Sequence, residues 1–267
     1  YSINDEWIFK IPRRHEVWED LKREKNFLDH FCNISPVEVP IFEFFNDEVV
    51  GYKQISGQNV TAELIQNFDE LQRSSFIDQL GNFLKILHST RCKRTKPFSY
   101  RNFFNRDGFD EFLLKIEKII FPKVAENVKD RIGYFLDKFQ KDERNFNNLK
   151  GCVHGDLHGN NMLWNSAKNK LGIIDFGDIA QDSVVKDFTI LANFCDSDND
   201  LFLKNILGVY DSSDDDLFRK IKDFSKLEKL YWPIEDVEDM VIDSKRENDF
   251  DANLERVVAV FSSFGPA

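Results

Sequence analysis

Hydrophobic and polar positions change period several times along this chain. "EWIFKIP" (Glu6–Pro12) alternates, with Trp7, Phe9 and Ile11 on one face and Ile8 and Lys10 on the other, which predicts a strand. Arg13 to Phe31 reads as a helix, its apolar stripe formed by Val17, Leu21, Leu28 and Phe31. "VPIFEFF" and "VVGYKQI" predict two further strands around a turn at Asn46–Glu48. After Gly57 the period turns helical, first through Phe76, Leu80, Phe83, Leu84 and Leu87, then over Asp110–Phe121 and Val128–Lys141. A polar, glycine-containing loop follows. It leads into a short strand "MLWN", a turn "SAKNK" and a strand "LGIIDF", beyond which the chain is expected to be helical to its end. A small strand-rich segment therefore precedes a large helical one, an α+β pattern with "GYKQISG" (Gly51–Gly57) as the expected hinge.

Composition narrows the class. The 267 residues suffice for one large domain or two lobes. No apolar run approaches the roughly 20 residues that span a bilayer, and no leader pattern opens the chain, so no membrane is expected as a partner. Cys32, Cys92, Cys152 and Cys195 are scattered with no CxxC pair, which suggests reduced thiols and a cytoplasmic location. The formal net charge of -11 disfavours nucleic acid and suits a cationic small molecule. No spare apolar face stands out, so a monomer is expected.

The candidate chemistry lies in "CVHGDLHGNNMLWN" (Cys152–Asn165). His154 and His158 are four apart, as on a zinc-binding helix, but Gly155 and Gly159 argue against a helix there. A purely structural turn is a second reading. Phosphoryl transfer is the third: Asp156 and Asn161 have the spacing D-x-x-x-x-N, in which the Asp accepts the proton of an attacking hydroxyl and the Asn binds magnesium. A second magnesium ligand should follow on a nearby strand, and "GIIDFGD" supplies Asp175 14 residues after Asn161. Such chemistry also needs a lysine on an N-terminal strand and a helix glutamate to hold it. Lys10 is on the first strand, and Glu24 falls on the apolar stripe between Leu21 and Leu28. A carboxylate there is costly unless paired, and Lys10 is the expected partner.

Together these residues resemble the aminoglycoside phosphotransferase family, relatives of the protein kinases. "HGDLHGNNML" and "IIDFGD" look like its catalytic-loop and metal motifs, and "VHGD" in place of "HRD" points to a small-molecule kinase. "IFKIP", "REKNFL", "GYKQISG", "LHS", "KDF" and "LEKLYW" have counterparts, in order, in bacterial aminoglycoside 2″-phosphotransferases. The resemblance implies a protein-kinase-like two-lobe fold, with a nucleotide-binding lobe over residues 1–54 and a helical lobe over 55–267 that carries the catalytic loop and acceptor site. It implies ATP or GTP as co-substrate with Mg2+. Asp156 would be the catalytic base, Asn161 and Asp175 the metal ligands, Lys10 the phosphate contact and Glu24 its partner. The backbone of Lys53, Gln54 and Ile55 would meet the base, and His154 and Asp187 would brace the loop. The family's glycine- and serine-containing loop precedes its lysine strand; here the sequence starts at Tyr1, so that loop is expected to be absent or to lie ahead of it.

Acceptor candidates are acidic and aromatic. "CDSDND" offers Asp196, Asp198 and Asp200, and "YWPIEDVED" offers Trp232 for stacking and Glu235, Asp236, Glu238 and Asp239 for ammonium groups. Register with the 2″ enzymes favours Asp196 and Glu235. A competing reading of the second segment is a helix start at Pro233 whose dipole favours acids. The alternatives are a kinase of the same fold acting on a macrolide, choline, homoserine or a sugar, or a catalytically inactive nucleotide-binding protein.

Overall fold

The alternation around Lys10 becomes an antiparallel sheet. A computed structural model describes residues 2–4, 6–12, 15–46, 48–92, 105–147, 149–194, 200–210, 215–240 and 247–262. Strands β1 (Ser2–Ile3), β2 (Trp7–Lys10), β3 (Phe42–Phe45) and β4 (Val50–Lys53) form one sheet in the order β1-β2-β4-β3. Trp7, Phe9 and Phe44 cluster on one face. The turn between β3 and β4 forms as expected: Asn46 Oδ1 accepts from the N–H of both Glu48 and Val49. Helix α1 (His15–Phe31) lies between β2 and β3 in sequence and buries Leu21, Glu24, Leu28 and Phe31.

The chain leaves this sheet after Lys53 and joins a second one at β5 (Gln58–Asn59). Thr61 caps α2 (Ala62–Gln66), and an Asp69–Gln72 capping box opens α3 (Glu70–Ser89). Next come α4 (Arg106–Lys115), a π-helical turn at Ile116–Ile120, and α5 (Glu126–Lys141). Strand β6 (Lys150–Val153) leads into the polar loop, and β7 (Met162–Asn165) and β8 (Lys170–Ile173) form the expected hairpin. The chain is not purely helical after that: β9 (Ala180–Ser183) pairs with β6, which corrects the sequence reading. Helices α6 (Val185–Phe194), α7 (Asp200–Tyr210), α8 (Asp215–Met240) and α9 (Glu247–Ser262) complete the described elements. Among the described residues no helix is long and apolar enough to cross a membrane.

Two compact units result, Tyr1–Lys96 with Lys150–Phe218, and Pro97–Leu149 with Arg219–Ala267. In the first, Phe76, Leu80, Phe83, Leu84 and Leu87 are buried as the helical period predicted. The face of α3 approaches β6 closely, since a Cβ at Gly151 would sit 2.6 Å from the carbonyl oxygen of His88. In the second, Phe139 packs edge-on against Phe224, and Ile132, Leu227, Leu230 and Ile234 are fully buried. Pro233 does not start a helix. It lies inside α8, where burial of the surrounding apolar side chains outweighs the roughly 3 kcal/mol that an interior proline costs.

Candidate active site

Strand β6 ends where the polar loop begins, and the loop is fixed from beneath. Asp187, in the first turn of α6, is fully buried. It accepts the backbone N–H of His154 at 2.8 Å and of Gly155 at 2.9 Å, one on each carboxylate oxygen. Gly155 has φ +87°, a conformation that glycine adopts without steric cost and that aims two successive amides at one carboxylate. Asp187 also lies 3.1 Å from His88 Nε2, whose Nδ1 lies 3.0 Å from the Tyr210 hydroxyl. Burial pushes the Asp187 carboxyl up, but His88, His154 and the loop N–H outweigh it and hold it below its ordinary range. His88 was not picked out as a site residue from the sequence, although it lies on the buried stripe of α3. A polar residue on an apolar stripe was the available signal, as it was for Glu24.

His154 is buried among Phe176 and the loop backbone. Its Nε2 lies 3.1 Å from the carbonyl of Ile174, and its Nδ1 accepts the N–H of Asp156 at 3.4 Å. Burial pushes its imidazole down, so it stays neutral with the proton on Nε2. Both ring nitrogens are thereby engaged with protein, which removes the zinc reading of the histidine pair.

Asp156 and Asn161 come together across a single 3-10 turn, Gly159–Asn161. Asn161 Nδ2 donates to the carbonyl of Asp156 at 2.8 Å and to its Oδ2 at 3.1 Å, which leaves Oδ1 of the amide as its acceptor. The N–H of Ile174 donates to the carbonyl of Asn161 at 3.0 Å, so the hairpin brings Asp175 to the same end as Asn161. Asp175 is left-handed (φ 65°, ψ 66°), a conformation costing a non-glycine residue about 1 kcal/mol and one that accumulates at functional sites. The carboxylate of Asp175 is more than half exposed and lies 3.2 Å from Lys10 Nζ.

Lys10 also meets both oxygens of Glu24 at 3.1 Å, the pairing expected from the stripe on α1. Glu24 is 1% exposed and its Oε1 accepts the N–H of Phe176 at 3.2 Å. Burial opposes the charge on Lys10, but Glu24 and Asp175 outweigh it and hold the ammonium above its ordinary range. Lys10, Glu24 and Asp175 thus form one connected group. Of the Lys53–Ile55 segment, the N–H of Gln54 is donated to the carbonyl of Glu6 at 2.8 Å, while Lys53 ends β4 and Ile55 is buried.

Asp196 and Asp198 lie outside the described residues. Trp232 and Glu235 belong to the second unit, on α8, where Glu235 accepts the Tyr231 hydroxyl at 3.0 Å and the Tyr231 and Trp232 rings lie 5.9 Å apart. Asp236 is buried and accepts from Asn253 Nδ2 at 2.8 Å, and Glu238 pairs with Lys115 at 2.9 Å. Cys32, Cys92 and Cys152 are free thiols, and Cys195 lies outside the described residues. Among the described residues no cluster of three or more His, Cys, Asp or Glu could hold a metal ion.

Comparison with known proteins bears on the family and the fold. The sequence model of the phosphotransferase enzyme family matches residues 1–222. A GDP and kanamycin complex of APH(2″)-IIIa is similar at 21% identity and TM-score 0.76, over 96% of this chain and 88% of that one. An ADP-bound APH(2″)-Ib is similar at 22% identity and TM-score 0.65, over 96% and 86%. The apoenzyme of macrolide 2′-phosphotransferase MphH from Brachybacterium faecium is similar at 15% identity and TM-score 0.67, over 93% and 84%. At these identities the likeness shows the fold, which is the protein-kinase-like α+β architecture expected from the sequence.

Proposed function

The chain belongs to the phosphotransferase enzyme family, and from that premise we propose that it is a small-molecule kinase that transfers the γ-phosphoryl group of ATP or GTP to an aminoglycoside hydroxyl, with the 2″ position favoured. The observation that carries this is the convergence of Lys10, Glu24 and Asp175 in one ionic group, with Asn161 and Asp156 joined to it through the Ile174–Asn161 bond. Phosphoryl transfer is positioning and charge neutralisation, and each of these side chains has a part in it. Lys10 would hold nucleotide phosphates, and Glu24 would keep its ammonium in place. Asp156 would orient the acceptor hydroxyl and take its proton. The Asn161 Oδ1 and the exposed Asp175 carboxylate are hard oxygen donors that fit magnesium shared with phosphate oxygens. When bound, that ion would neutralise charge on the phosphates. The bases would lie against the backbone of Lys53 and Ile55.

For the acceptor, the net charge of -11 supports a polycation, and the solved relatives include complexes with kanamycin, streptomycin and gentamicin. Asp196, Asp198, Trp232 and Glu235 are the proposed contacts. A macrolide acceptor is the second reading, because macrolide phosphotransferases have a similar fold. The test is magnesium-dependent turnover of ATP and GTP by the purified protein, against kanamycin-, gentamicin- and streptomycin-type aminoglycosides, a macrolide, choline and homoserine. Aminoglycoside-specific stimulation is the expected result, and stimulation by the macrolide alone transfers the reading to that class. Asp156→Ala should lose several hundred-fold in turnover while still binding nucleotide, within the roughly 10²–10⁴-fold that a general base supplies. A fully active Asp156→Ala would end this mechanism.

A further inference from the structure

His158, the second histidine of the polar loop, touches the carboxylate of Asp156. Its Nδ1 accepts the N–H of Asn160 at 3.2 Å, capping the 3-10 turn Gly159–Asn161. A neutral imidazole that accepts at Nδ1 carries its proton on Nε2. Nε2 lies 3.2 Å from Asp156 Oδ2, the same oxygen that receives Asn161 Nδ2 at 3.1 Å. Among the described residues no hydrogen bond reaches Asp156 Oδ1. Two donors therefore converge on one oxygen of a carboxylate whose side chain is about one-third exposed.

We propose that His158 is a positioning residue: its Nε2–H, with Asn161, holds Asp156 by Oδ2, so that Oδ1 is the atom presented to the acceptor hydroxyl. This rests on the kinase reading above. In the transfer step the hydroxyl oxygen forms a bond to the γ-phosphorus and the bond from that phosphorus to the β,γ-bridging oxygen breaks. The nucleoside diphosphate leaves with that electron pair, and the hydroxyl proton passes to Oδ1. Without His158 the carboxylate is held on one side only by Asn161, and the alignment of Oδ1 is lost in part.

Two substitutions separate this role from turn capping. In His158→Asn the side-chain oxygen can still cap the N–H of Asn160, but nothing reaches Asp156. In His158→Gln the amide nitrogen can take the place of Nε2 while the cap is lost. Steady-state turnover with the acceptor panel, beside wild type and Asp156→Ala, reads the outcome. The expected result is a kcat about 10- to 50-fold lower for His158→Asn with the nucleotide KM unchanged, and recovery to within about threefold for His158→Gln. His158→Asn at wild-type rate, or both variants equally impaired, overturns the proposal while the kinase reading stands on the loss in Asp156→Ala. No turnover by wild type with any acceptor overturns both.

Discussion

Replacing Asp187 by alanine removes the floor of the polar loop that carries Asp156, and the structure sets the size of the effect. The carboxylate has no solvent exposure and takes three donors: the N–H of His154, the N–H of Gly155 and the imidazole of His88. Each buried donor left without an acceptor costs about 1–3 kcal/mol. Water entering the vacated space recovers part of that, so the expected loss is about 4 kcal/mol, on the order of 10 °C in Tm. Asp187→Asn keeps one acceptor oxygen and turns an amide NH2 towards a donor, so about half that loss is expected. Urea unfolding followed by circular dichroism measures the stability, and hydrogen exchange at the His154 and Gly155 amides measures the bracing directly. In the variants those two amides should exchange faster than the amides of β6. A loss below about 1 kcal/mol with protection at both amides unchanged would refute the argument, because it would mean that the loop is held by something other than this carboxylate.

Acid should destabilise the protein in two stages. Burial depresses the imidazole pKa of His154 in the folded state, so its contribution is present above the unfolded value of about 6.5 and is lost as pH falls below it, by up to about 1.4 kcal/mol per pH unit. The depressed Asp187 carboxyl adds a second loss below about pH 4, and urea midpoints at half-unit steps, with His154→Gln flattening the first stage, check both. Lys10→Met should add a slope of the opposite sign: burial already holds the Glu24 carboxyl above its ordinary range, and without the Lys10 ammonium it rises further, so this group costs the variant stability as pH rises from 5 to 8, by at least about 1 kcal/mol. The same scan with Glu24→Gln added should lose this slope and keep only the His154 stage, and a persistent fall in stability towards pH 8 would place its origin elsewhere.

The side chains of the candidate site were legible because phosphoryl transfer needs chemically distinct groups in a set order. Asp156, Asn161 and Asp175 are close in sequence on a loop and a hairpin, and Glu24 betrays itself as a charge on an apolar stripe. What braces them was harder to read. Strands β6 and β9 are four residues each and pair across the intervening hairpin, and the polar Gln181 and Asp182 carry no apolar alternation to announce the second. His88 and Asp187 are 99 positions apart and meet only because α3 and α6 are both packed into the first unit.

Acceptor recognition is the least legible part, for a physical reason. An acidic side chain in sequence has the same charge whether it faces a ligand or an internal partner. In "PIEDVED", Asp236 meets Asn253, Glu238 meets Lys115 and Glu235 meets Tyr231, so three of the acids read as ammonium ligands hold contacts within their own unit. Pro233 misled in the same way: its local preference signals a helix start, yet α8 runs through it because Leu230 and Ile234 on either side are fully buried. Where the chemistry requires several different groups in one arrangement, the order of residues carries the information. Where it requires only negative charge, any exposed turn can supply it, and the partners that occupy those charges lie far away in the chain.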